Sequence, residues 1–103
     1  MSKDNGGPVS DRELLEMAAK ADDRDGVYSK RACALVSEDG YWMPHSDYGD
    51  ALKLAESMGL LVGKSTTDQG LYFATRKDLE SMYLDHSICR AIVRAAAAIG
   101  SAM

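Results

Sequence analysis

Two thiols and two imidazoles, Cys33, His45, His86 and Cys89, are the side chains of this sequence best equipped for chemistry. As a set they match the donor inventory of one tetrahedral zinc ion. Their spacing does not, because only His86 and Cys89 form a close pair, whereas structural zinc sites carry two close pairs on turns. Cys89 also falls on an apolar helical flank, where a buried thiol behaves as a small hydrophobe. Asp85-His86-Ser87 holds the residue types of a nucleophilic triad, but such triads assemble from residues distant in sequence, and a helix cap accounts better for Asp85 and Ser87. The acidic run Asp22-Asp23-Arg24-Asp25-Gly26 has the composition of a calcium loop. With Gly26 at that loop's sixth position, however, Ala21 and Ala32 stand where its first and twelfth carboxylates are required. Gly63-Lys64-Ser65 resembles the end of a phosphate-binding loop. The first glycine of that loop would fall at Met58, and no long helix follows. These residues assign no catalytic set, no metal ligands and no cofactor, so the reading is of a chain that is not an enzyme.

What remains is recognition chemistry. The loop Pro44-His45-Ser46-Asp47-Tyr48-Gly49 follows Trp42, whose large ring is expected in the core, leaving His45 and Tyr48 as surface candidates. Asp47 and Asp50 place carboxylates at a helix start, where they cap free backbone N–H groups and would repel a phosphate. Together with the acidic turn, the candidate partner-binding residues are Asp22, Asp23, Asp25, His45, Asp47 and Tyr48.

The elements that must position them follow from periodicity. Ser10 followed three residues later by Glu13 is a capping box that starts a helix, with Leu14, Met17, Ala18 and Ala21 on one face and the acidic turn at its exit. Ala32 to Val36 and Tyr41 to Met43, joined through Ser37-Glu38-Asp39-Gly40, read as a hairpin that Pro44 closes. A second helix runs from the caps at Asp47 to Asp50 to a stop at Gly59, burying Ala51, Leu54, Ala55 and Met58. A second hairpin pairs Leu60 to Val62 with Leu71 to Ala74. Over 76–85 the pattern leaves two options, one helix continuous with the last or a separate one, since Asp85-His86-Ser87 resembles a fresh start. The final helix buries Ile88, Ile92, Ala96 and Ile99, with Arg90 and Arg94 on another flank. Its alanine-rich surface allows close packing on a sheet or on a second copy of itself. The expected order is α-ββ-α-ββ-α: an α+β fold with one four-stranded, largely antiparallel sheet and helices packed on it as an α/β/α sandwich. Residues 1–9 are read as a flexible tail and residues 10–103 as a single domain.

Charge narrows the function classes. The chain of 103 residues carries a net −4, with six basic and eleven acidic residues in 1–50 against six and five in 51–103. Neutralising phosphates needs a basic surface, so this balance argues against nucleic-acid binding and leaves a basic protein partner open. No apolar run approaches the roughly 20 residues of a membrane span, the N-terminal residues lack the apolar core of a signal peptide, and two cysteines are too few for a disulfide scaffold. The expected location is the cytoplasm.

Three blocks carry a family likeness: Asp11-Arg12-Glu13-Leu14-Leu15-Glu16 with Ala18-Ala19-Lys20-Ala21; Trp42-Met43-Pro44 leading to Gly49-Asp50-Ala51-Leu52-Lys53-Leu54-Ala55; and Arg90-Ala91-Ile92-Val93-Arg94-Ala95-Ala96-Ala97 with Ile99. In these, from Asp11 to Ile99, the chain resembles the phage ABA sandwich domain family, small proteins of tailed phages and prophages. The Trp-x-Pro followed by a Gly-Asp-Ala-Leu helix start is the most specific part. No matching motif lies between the first helix and Trp42 or between Val62 and Asp85. The resemblance implies a three-layer sandwich and a phage accessory gene, and brings no catalytic residues. The expectation is therefore a non-enzymatic accessory protein that binds a host or phage protein, with blocking of a bacterial defence as the narrower guess. The alternative is a dimeric module holding a nucleotide-like ligand near Tyr72, Arg76, Tyr83 or Arg90.

Overall fold

The computed structural model describes residues 10–67, 70–79 and 82–103. The expected tail at residues 1–9 lies outside the described residues.

Helix α1 spans Asp11–Ala21 and begins as the sequence dictates, with the Glu13 amide donating to Ser10 Oγ at 3.2 Å. The Glu13 carboxylate accepts from the same Ser10 hydroxyl. At its exit the Arg24 amide donates to the Ala19 carbonyl and the Asp23 amide to the Lys20 carbonyl, with Asp23 left-handed at φ 52°. This is a Schellman stop in which aspartate holds the position usually given to glycine.

Three strands follow, β1 (Val27–Ser29), β2 (Ala34–Ser37) and β3 (Gly40–Trp42), paired antiparallel in the order β1-β2-β3. Tyr28, Leu35 and Trp42 stand opposite one another and point at the core, where Leu35 and Trp42 are buried. The alternate row is Val27, Val36 and Tyr41, of which Val27 and Tyr41 are exposed.

Helix α2 (Tyr48–Met58) is capped by Asp47 and ended by Gly59, which is left-handed at φ 67°. A second antiparallel sheet holds β4 (Leu61–Lys64), β5 (Tyr72–Thr75) and β6 (Tyr83–Asp85) in the order β4-β5-β6. Gly63 sits opposite Phe73, whose ring fills the space that a side chain at Gly63 would need.

Helix α3 (Ile88–Ser101) starts at Ser87, whose Oγ accepts from the Arg90 amide at 3.3 Å. It is the hub of the core: α1 and α2 pack on it, and so does the β4-β5-β6 sheet, while the β1-β2-β3 sheet lies on α1. Its buried positions include Ala91, Ile92, Val93, Ala95, Ala96, Ala97 and Gly100, small enough on the α1 side for two helix backbones to approach closely.

The expected single four-stranded sheet is corrected to two separate three-stranded sheets, and the order is α-βββ-α-βββ-α. The added strands, β1 and β6, are three residues long, too short to display alternation in the sequence, and each exists only because a neighbour offers it a register. β6 also closes both helical options for 76–85, since Tyr83–Asp85 is extended. No pairing joins β3 to β4 among the described residues.

Candidate functional site

The acidic turn and the first hairpin turn meet. The Schellman stop reverses the chain after α1, and the pairing of Val27 with Val36 brings residues 22–26 alongside Ser37-Glu38-Asp39. Between them lies an open groove of about 680 Å³ lined by Asp22, Asp23, Arg24, Asp25, Gly26, Val27, Val36, Ser37, Glu38 and Asp39. Asp22 is committed to structure: it accepts from Ser57 Oγ at 2.6 Å and from Arg24 Nε at 3.3 Å, tying the α1 exit to α2. The exposed Arg24 guanidinium lies 4.7 Å over the ring centre of Trp42, a cation–π contact. Asp23, Asp25, Glu38 and Asp39 are exposed, and no Lys, Arg or His among the described residues pairs with them.

These carboxylates are spread along the rim. No group of three or more His, Cys, Asp or Glu among the described residues could hold a metal ion, which covers Cys33, His45, His86 and Cys89 as well. Carboxylates spread in this way sum to a negative field along the groove. By their sequence context Glu38 and Asp39 are turn formers. Their neighbourhood to Asp25 depends on hairpin register with β1, a strand the sequence does not display.

The other candidates do not join this groove. His45, expected at the surface, is 7% exposed and sits between three elements. Its Nε2 lies 3.9 Å from Asp11 Oδ2 at the start of α1, and Asp11 Oδ1 accepts from Arg90 on α3 at 2.7 Å. Its Nδ1 is buried with no hydrogen-bond partner. Burial lowers the His45 pKa, Arg90 adds to this and Asp11 opposes it. The loop residue that looked accessible is therefore packing, because Pro44 beside it is fully buried and draws the segment inward.

Asp47 is an N-cap, its Oδ2 accepting from the Asp50 amide at 2.9 Å, while Asp50 in turn accepts from the Met43 amide at 3.0 Å. Asp47→Ala is expected to lower stability by about 1 kcal/mol in urea unfolding. An unchanged midpoint would show that the cap is dispensable. Tyr48 is exposed on the first turn of α2.

The triad residue types are likewise dispersed in role. Asp85 Oδ1 accepts from the Ser87 amide, Ser87 caps α3, and His86 Nδ1 lies 3.0 Å from the Gly70 carbonyl oxygen. The Gly63-Lys64 pair lies inside β4. Cys89 is buried, and burial, with Asp47 second, pushes its thiol pKa up, so it is poorly placed to act as a thiolate.

Of the side chains proposed for a ligand cleft, Arg76 binds Asp78 at 2.5 and 2.6 Å and the Met58 carbonyl at 2.9 Å, and Arg90 is held by Asp11. Tyr83 alone of the four lines the groove between α1 and α3, with Leu14, Met17 and Arg94. No helix among the described residues is long and apolar enough to cross a membrane. No family model, curated protein or solved structure matches the chain.

Proposed function

We propose that the chain is a non-enzymatic interaction protein whose acidic groove receives a basic segment of a partner protein. The observation that carries this reading is the convergence of four exposed, unpaired carboxylates, Asp23, Asp25, Glu38 and Asp39, beside the exposed apolar Val27. Charge of one sign around a concave surface raises the encounter rate with cationic partners, and an apolar contact at the centre gives the complex its residence time. The likeness to phage ABA sandwich proteins supports a phage or prophage accessory role. Within that role the partner is a protein of the bacterial host, and the most specific form of the reading is inhibition of a host defence system in the host cytoplasm.

The test is affinity capture from bacterial lysate with the wild-type chain and with the triple variant Asp25→Lys, Glu38→Lys, Asp39→Lys. The expected result is one partner at repeatable stoichiometry, retained at low salt and reduced about tenfold by the variant. Recovery of no stoichiometric partner overturns the interaction reading. Equal recovery by both proteins overturns the groove as its site.

A further inference from the structure

The outer face of the β1-β2-β3 sheet is more than a rim of the acidic groove. Pairing of Val27 with Val36 and of Val36 with Tyr41 sets these three side chains in one row facing away from α1. Val27 is 76% exposed and Tyr41 65%. One flank of the row opens into the acidic groove, which shares Val27 and Val36 as lining. The other flank opens into a hollow of about 390 Å³ lined by Ser29, Arg31, Ala32, Tyr41 and Met43, with the exposed Lys30 beside it. The strand directions explain the separation: the acids lie in the segments before β1 and between β2 and β3, the bases in the turn between β1 and β2. Strands of three to four residues hold the two ends roughly 10 Å apart. Lys30 and Arg31, like the four carboxylates, have no oppositely charged partner among the described residues.

We infer that this face is a self-association surface whose occupant is a second copy of the chain, related by a two-fold axis through the Val27-Val36-Tyr41 row. An isologous contact requires a self-complementary patch. A face that is acidic at one end, apolar in the middle and basic at the other meets that requirement, since a two-fold rotation lays each acidic end on the partner's basic end. The apolar row excludes water from the centre, and the two charged ends fix the orientation. Three short strands form a small face, so the dimer belongs with weak, rapidly exchanging contacts. Self-association covers the groove and so competes with the partner proposed above, but it is measured on the pure chain and does not depend on that partner.

Sedimentation equilibrium from micromolar to near-millimolar protein tests it. Three variants accompany the wild type: the acid reversal Asp25→Lys, Glu38→Lys, Asp39→Lys; the base reversal Lys30→Glu, Arg31→Glu; and Tyr41→Ser. Circular dichroism verifies that each is folded. The wild-type mass is expected to rise with concentration from 11.1 kDa towards twice that value. Each variant alone is expected to stay monomeric over the same range. An equimolar mixture of the two charge reversals, one face predominantly basic and the other predominantly acidic, is expected to associate at least about tenfold more tightly than either alone. A wild-type mass that stays at the monomer value overturns the inference, as do variants that associate like the wild type or a mixture no tighter than its components. Lysate capture can succeed while sedimentation shows a monomer, or the reverse, so the two proposals fail separately.

Discussion

Gly100→Ala is expected to destabilise the fold by about 3 kcal/mol, read as a lowered denaturation midpoint at an unchanged slope. The sign is opposite to the helix rule, under which alanine in place of a helical glycine gains up to about 1 kcal/mol. Here the crossing of α3 over α1 decides. A Cβ at Gly100 would overlap the Met17 carbonyl oxygen, and it would lie 2.8 Å from the Met17 carbonyl carbon and 3.3 Å from the Ala21 amide nitrogen. All three are backbone atoms, so no side chain can swing aside and the helices themselves must part. Parting them loosens the packing of Leu14, Leu15 and Ala18 beneath the alanine-rich surface of α3. Ser101→Ala, one residue on and exposed, serves as control and should change stability by less than about 0.5 kcal/mol. A Gly100→Ala protein as stable as the wild type would mean that the two helices do not cross at this distance.

The second large effect is a loss of stability in mild acid traced to His45. The unfolded chain takes up this proton near the ordinary value of 6.5, whereas the folded protein takes it up only at lower pH because burial disfavours the imidazolium. Stability is therefore complete above pH 6.5. It falls as pH drops from there toward the folded value, by as much as about 1.4 kcal/mol per pH unit while the difference of one proton lasts. Arg90 opposes the incoming charge and Asp11, 3.9 Å away, partly supports it. His45→Leu removes both the titration and the unpartnered Nδ1, and should flatten the profile of unfolding free energy between pH 7.5 and 5. If wild type and variant lose stability in parallel over that interval, His45 is not the responsible group.

Helix ends were written locally and could be read locally. Ser10, Asp47 and Ser87 each cap a helix through their own side-chain oxygen, and Gly59 stops α2 by a conformation open to glycine. The first hairpin was legible for the same reason, because Glu38-Asp39-Gly40 makes its turn without help from the rest of the chain. β1 and β6 were not legible: three residues can supply no period, and only adjacent strands with free hydrogen-bonding edges fix them as extended. The site divides along the same line. Asp22, Asp23 and Asp25 drew notice by composition, but the structure separates Asp22, bound to Ser57, from the free carboxylates and adds Glu38 and Asp39.

The sequence by itself determined the capped starts of the first two helices, the first hairpin turn, a core role for Trp42 and an excess of acid in the first half, since each depends on a few adjacent residues or on a sum. Tertiary structure decided that the strands form two sheets, that His45 is buried against Asp11, that Gly100 admits no side chain, and that four acids share one groove. Each of these is a distance between residues separated in the chain, set by strand pairing for the sheets and the groove and by packing among the helices for His45 and Gly100, and no local pattern encodes such a distance.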